Sequence, residues 1–232
     1  RNYKVDQSFV NQMINASALD NGLHAGDLKF VDLDGNNKIE QTTSANDRKD
    51  MKVIGNSLPR YNYNFGISAD WYGIDFSVLF QGIGKQNWYP GAETSMFWGP
   101  YSRPYASFIP SDFMSQVWSE ENTNAYFPRP RGYVALGSNR ELAVVNTKYL
   151  QNLAYCRLKN LSIGYTLPDK WLSKIGFEKI RVYFSGENLL TFTKLHSDYI
   201  DPEQASASNS WKTSKSDANI YPWAKTYSFG VD

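Results

Sequence analysis

Apolar and polar residues alternate with a period of two in five separate stretches of this chain, the signature of a β-strand with one apolar face. The clearest sets Tyr61, Tyr63, Phe65, Ile67, Ala69 and Trp71 against Asn62, Asn64, Gly66, Ser68 and Asp70. After a break at Tyr72 and Gly73, the residues Ile74, Phe76, Val78 and Phe80 alternate with Asp75, Ser77 and Gln81, which predicts a hairpin closed by a tight turn. A third stretch, 149–167, carries Leu153, Tyr155, Leu161, Ile163, Tyr165 and Leu167 on one parity, with Arg157 and Lys159 interrupting that apolar face. The connection 168–176 has room for one helical turn at Asp169, Lys170, Trp171 and Leu172. A fourth stretch, 178–190, sets Ile180, Val182 and Phe184 against Arg181, Tyr183 and Ser185. The fifth, 222–232, sets Tyr227, Phe229 and Val231 against Thr226, Ser228 and Gly230.

Short and long connections alternate between these strands, and residues 85–148 and 193–221 form the long ones. Up-and-down membrane barrels have that asymmetry, with brief periplasmic turns and extended extracellular loops. Counting from the short turns puts the C-terminus on the periplasmic side. The expected fold is therefore all-β: a portion of an antiparallel up-and-down transmembrane β-barrel whose long extracellular loops contain short helices. Residues 1–60 read as an extracellular loop segment, and residues 61–232 as strands at about 61–71, 74–84, 149–167, 178–190 and 222–232 with their loops. Ser111 to Trp118, following Pro110, predicts a capped amphipathic helix. Residues 8–19 predict another, with Val10, Met13 and Ile14 on one face. Arg1 opens without a signal peptide and Asp232 stops inside an alternating run, so the stretch reads as a piece of a longer chain.

Composition narrows the function classes. No stretch approaches the roughly 20 consecutive apolar residues of a spanning helix, so a membrane crossing falls to strands. Charge is balanced, 24 Lys and Arg against 23 Asp and Glu, and offers no field to attract nucleic acid. The single Cys156 rules out an internal disulfide framework. His24 and His196 accompany no nucleophile or metal motif, and Glu120 with Glu121 reads as a solvated pair, so no enzyme activity is expected.

Two segments carry candidate chemistry. Asp32, Asp34 and Asn36 match the first three ligand positions of a calcium loop, with Asn37 where the usual glycine stands, Thr43 at the final acidic position, and Asp47 available to close the site from beyond it. An Asx-type turn with solvated carboxylates explains the same residues. Trp88, Tyr89, Trp98, Tyr101 and Tyr105 crowd the first half of the loop 85–148. They suit a sugar- or peptide-stacking surface, or equally the core of an ordered loop or its contact with a partner.

The order of segments GDLKFVDLDGNNKIE, DRKDMKVIGNSLPRYNYNFGISADWYGIDFSVLFQGIG, YLQNLAYCRLKNLSIGYTLPDKW, IRVYFSGENLLTFTK and YPWAKTYSFGV resembles the C-terminal region of the SusC/RagA family of TonB-dependent outer-membrane transporters. The resemblance implies the last strands of a barrel of about 22 strands, in the outer membrane of Bacteroidota. It also implies a SusD-like lipoprotein partner, energy through TonB by way of upstream segments, and import of oligosaccharides or peptides. A structural calcium is carried over with it, on Asp32, Asp34, Asn36, the Lys38 carbonyl and Asp47, although here extra residues separate Glu40 from the Asp47–Arg48 pair. The competing readings are a soluble β-rich carbohydrate-binding module with structural calcium and a surface adhesin on a barrel without an energy-coupled plug.

Overall fold

The structure, a computed structural model, describes residues 4, 23–42, 44–102, 109–137, 141–174, 176–208 and 222–232. The helix expected at 8–19, Thr43 and Tyr105 lie outside the described residues. Each alternating stretch becomes a strand: β1 (Arg60–Trp71), β2 (Ile74–Lys85), β5 (Tyr155–Thr166), β6 (Arg181–Thr193) and β7 (Thr226–Val231), with the short β3 (Asn87–Trp88) and β4 (Gln151–Asn152) between β2 and β5. The five long-range partners form one sheet in the order β1-β2-β5-β6-β7, and every neighbouring pair is antiparallel. The expected hairpin between β1 and β2 turns on Tyr72 and Gly73, with φ of 46° and 83°. Two successive positive φ values match a turn whose twist suits the right-handed twist of its strands.

The strand limits differ from expectation where other contacts compete. Residues 149–154 do not extend β5: Gln151 and Asn152 pair with Trp88 and Asn87 in a separate two-stranded sheet, and the Leu153 N–H donates to the Gln86 carbonyl. β6 begins at Arg181 rather than 178 and continues past 190 to Thr193, because Thr191, Phe192 and Thr193 pair with Arg157, Cys156 and Tyr155. β7 starts at Thr226. Asp169–Leu172 forms the anticipated helical turn (α2), while α1 (Ser95–Trp98) and α3 (Pro202–Ser208) lie in the two long connections. The helix expected over 111–118 shortens to a single 3-10 turn, Phe113–Gln116, without a side-chain cap. Val117 leaves it in an extended conformation to bridge Phe127, a pairing that a helix would forbid.

Among the described residues the chain divides into two compact units, one from 23–55 and 89–150, the other from 56–88, 151–208 and 222–232. The first is organised around Phe97, Trp98, Tyr101, Phe113, Phe127 and Tyr149, all buried. The second holds both sheets, and α3 lies within it.

Candidate functional site

Register assigns every side chain of the large sheet to one of two faces. Phe65 pairs with Phe80, Ile67 with Val78 and Trp71 with Ile74; Phe76 pairs with Ile163 and Ile74 with Tyr165. Ile163 continues to Phe184 and Tyr165 to Val182, and these meet Phe229 and Val231. Directly paired residues share a face, so one side is a continuous apolar surface across all five strands. Phe65 stacks on Phe80 at 5.0 Å and Phe184 lies 5.1 Å from Phe229. These rings stand uncovered: Phe65 is 49% exposed, Trp71 68% and Phe229 81%. The opposite face carries Asn62, Asn64, Ser68, Ser77, Ser162, Ser185, Glu187 and Ser228.

Arg157 and Lys159 do not interrupt the apolar face, contrary to the reading of the bare alternation. Val78 pairs with Leu161 but Phe80 pairs with Leu158, so β5 spends one extra residue, Lys159, in a bulge. The bulge reverses parity below it. Leu158 and Cys156 join the apolar face, and Arg157 turns to the polar one. There the Arg157 guanidinium donates to Asp201 Oδ2 at 2.7 Å, to Glu203 Oε2 at 2.7 Å and to Thr191 Oγ1 at 2.9 Å. Lys159 Nζ reaches Glu203 at 3.2 Å and stands 5.2 Å from the centre of the Trp223 ring. Arg157 and Asp201 are both buried, so this network ties the start of α3 to the polar side of the sheet. A second tie lies near the short turns: Arg181 grips Asp75 through two hydrogen bonds of 2.8 and 2.6 Å, passing over Gly164, and also reaches Asp232 at 3.1 Å. Neither network was legible as such in the sequence. The one local signal was a cationic pair inside an apolar run.

Three of the aromatic residues expected at the head of the long connection are buried. Trp88 is 2% exposed, and Trp98 and Tyr101 are 0%. Trp98 Nε1 donates to the Pro90 carbonyl at 3.1 Å, and the Tyr101 hydroxyl donates to the Pro128 carbonyl at 2.6 Å. The Tyr89 hydroxyl donates to the Leu142 carbonyl at 2.8 Å and accepts from Asn146 Nδ2 at 2.9 Å. Burial pushes the phenols of Tyr89, Tyr101 and Tyr149 well above their ordinary range. A ring with neither face open has nothing to offer a sugar, so Trp88, Trp98 and Tyr101 do not form a stacking surface; they are core. The first unit also buries the ion pair of Arg131 with Glu141, whose carboxyl burial pushes up.

The acidic turn is held by its own amides. Asp32 accepts from the N–H groups of Gly35 at 2.7 Å and Asn37 at 2.8 Å, and Asp34 accepts from Asn36 N–H at 3.0 Å. Asn37 takes the left-handed conformation, φ 62°, in the place where a glycine is usual. Burial raises the Asp32 carboxyl, but the Gly35 and Asn37 amides outweigh it and leave the group below its ordinary value. The carboxylates that converge are Asp32, Asp34 and Asp50, each with an oxygen within 4.8 Å of the others. Asp47 is not among them: it pairs with Lys49 at 3.3 Å. Asp50 enters because a turn at Arg48 to Met51, with Lys49 at φ 48°, swings its carboxylate onto the amides of Leu33 and Glu40, both at 2.7 Å. Asn36 directs its amide nitrogen at Asp34, while its oxygen accepts from Lys38 N–H at 2.7 Å. Three clustered carboxylates suit a hard divalent cation. Asn36 is committed elsewhere.

A meander of long antiparallel strands with one uncovered apolar face and one polar face defines the class, and solved importers share the fold. The RagAB peptide importer in its 'open-open' state matches with a TM-score of 0.50 and 21% identity, covering 88% of this chain and 20% of that one. The RagAB peptide transporter matches with a TM-score of 0.50 and 21% identity, covering 83% and 19%. Sequence narrows the class further. TonB-dependent receptor P3 of Formosa agariphila is 32% identical over 209 residues, 88% of this chain and 18% of that receptor. TonB-dependent receptor P26 of the same organism is 27% identical over 192 residues, 82% and 17%. The chain belongs with the TonB-dependent receptors. It spans less than a fifth of the length of these curated relatives, and no family model matches it.

Proposed function

We propose that the five strands are consecutive staves, near the C-terminal end, of an outer-membrane barrel of about 22 strands that imports large nutrients, oligosaccharides or peptides. In this reading a SusD-like lipoprotein assists at the surface, and TonB supplies energy through segments outside these 232 residues. The observation that carries it is the uncovered apolar face spanning every strand of the sheet, backed by a polar face. In water such a face is an aggregation liability; against acyl chains it is the required surface, because lipid-facing and lumen-facing residues alternate along barrel strands.

Strand length supports the same reading. β1, β2 and β5 have 12 residues each and β6 has 13. At about 3.3 Å per residue and a tilt near 45°, such strands cover close to the roughly 30 Å hydrocarbon core. The short links then lie in the periplasm with the C-terminus, and the long connections face outward. The family relationship favours TonB-coupled import over an adhesin, and the uncovered face disfavours a soluble module. The acidic turn is proposed to hold a structural calcium on Asp32, Asp34 and Asp50, bracing an extracellular segment.

The test places single fluorophores on the intact receptor in lipid bilayers. Probes at Phe65, Ile67 and Phe229 are expected to be quenched by lipids carrying quencher on the acyl chains, and probes at Ser68, Ser162 and Ser228 by aqueous iodide. The reverse assignment, or iodide access on both sides, would remove the barrel reading.

A further inference from the structure

We infer that Tyr183 fastens β7 to the next strand of the wall, donating its phenol hydroxyl across Gly230 to a backbone carbonyl of a strand outside these 232 residues. The inference rests on the barrel reading above and adds a named contact at an open edge.

The sheet contains a repeated device in which a long side chain crosses a glycine on the neighbouring strand. Tyr63 of β1 stands opposite Gly82 of β2, lies across it, and donates its hydroxyl to the Tyr155 carbonyl of β5 at 2.9 Å. Arg181 of β6 crosses Gly164 of β5 to reach Asp75 of β2 at 2.6 and 2.8 Å. In both cases the reaching group finds its partner two strands away. Tyr183 of β6 repeats the first geometry on the polar face: it stands opposite Gly230 of β7, and the tip of its ring occupies the space a Cβ at Gly230 would need. The Arg181 guanidinium lies 4.9 Å from the centre of that ring and steadies it.

The strand that Tyr183 should reach is the one beyond β7, and among the described residues β7 is the last strand of the sheet. Among the described residues the Tyr183 hydroxyl has no hydrogen-bond partner. Adjacent strands lie about 4.8 Å apart, so a group that clears one strand is within reach of the next. The outer N–H and C=O groups of β7 need partners as well, since a lipid-facing sheet has no water to satisfy an open edge. One occupant meets both needs: another antiparallel strand. It belongs to the same polypeptide, because this chain covers only 18% of the receptor it matches at 32% identity, and all four strand pairings of the sheet join segments of one chain.

The experiment uses the full-length receptor in outer membranes, read first by heat-modifiability, the fast migration of an unboiled folded barrel in detergent gels. Photo-crosslinking from Tyr183→p-benzoylphenylalanine, mapped by mass spectrometry, is expected to join position 183 to a segment of the same polypeptide outside the 232 residues. Tyr183→Phe is expected to lower the heat-modifiability transition in the same direction as Tyr63→Phe. A crosslink confined to the 232 residues, or to a second copy or another protein, overturns the inference, as does a Tyr183→Phe transition unchanged where that of Tyr63→Phe falls. A receptor that never yields the folded form removes the barrel reading itself; one that folds but fails at Tyr183 removes only this contact.

Discussion

At Arg157 one inserted residue changes what a strand can hold. A guanidinium on an acyl-facing surface would cost a few kcal/mol, about 2–4 at mid-depth. The bulge at Lys159 sends it instead to a face where Asp201 and Glu203 meet it in charge-assisted bonds. Both members of the Arg157–Asp201 pair are nearly dry, with side chains 3% and 5% exposed. Removing one partner of such a pair is costly, roughly 3–5 kcal/mol, because the other charge is left uncompensated. Arg157→Ala should therefore strip hydrogen-exchange protection from residues 195–205 of the intact receptor, and Arg157→Lys, which keeps charge but loses the fork, should fall between. Protection unchanged in Arg157→Ala would show that the network does not hold α3. The residue types were legible in the sequence; their side of the sheet was not, because a bulge leaves no mark in a period-two count beyond the cations it displaces.

Among the elements, the acidic turn has the most readable pH response. The Asp32 carboxyl lies below its ordinary value of 3.8, held there by the Gly35 and Asn37 amides against the opposing effect of burial. A depressed carboxyl pKa contributes stability that is complete above the ordinary value and lost as pH falls through the folded one. Amide protection at Gly35 and Asn37 should thus stay level from neutral pH down to about 4 and decline below it. Calcium added at neutral pH should raise that protection and chelation should reverse the gain, while Asp50→Asn should weaken the response; indifference to both ion and chelator would eliminate the structural calcium. In the sequence, the turn itself was visible through its alternating oxygen side chains. Asp50 was not, because its arrival depends on a left-handed Lys49. The aromatic connection shows the same division: the crowding of rings was plain, but whether they faced outward or inward depended on backbone carbonyls such as those of Pro90 and Pro128.

For the whole molecule the consequence is an asymmetric tolerance of charge. Phe229→Lys, on the apolar face, should destabilise the intact receptor in bilayers by roughly 2–4 kcal/mol if the site lies near mid-depth, whereas Ser228→Lys, one residue away on the polar face, should cost much less. Equal losses in the denaturant midpoints of the two variants would contradict a wall with lipid on one side. The alternation of apolar and polar residues was sufficient, from the sequence alone, to specify the strands, their hairpins and the two-faced sheet, because backbone geometry places successive side chains on opposite faces. Two-residue periodicity is local, and so it survives without knowledge of neighbours. What only the tertiary structure decided was non-local: the bulge that turned Arg157 to the polar face, the burial of Trp98 and Tyr101, the convergence of Asp32, Asp34 and Asp50, and the glycine crossings of Tyr63, Arg181 and Tyr183. Each depends on which segment lies one strand over, and hydrogen-bond register between strands sets that.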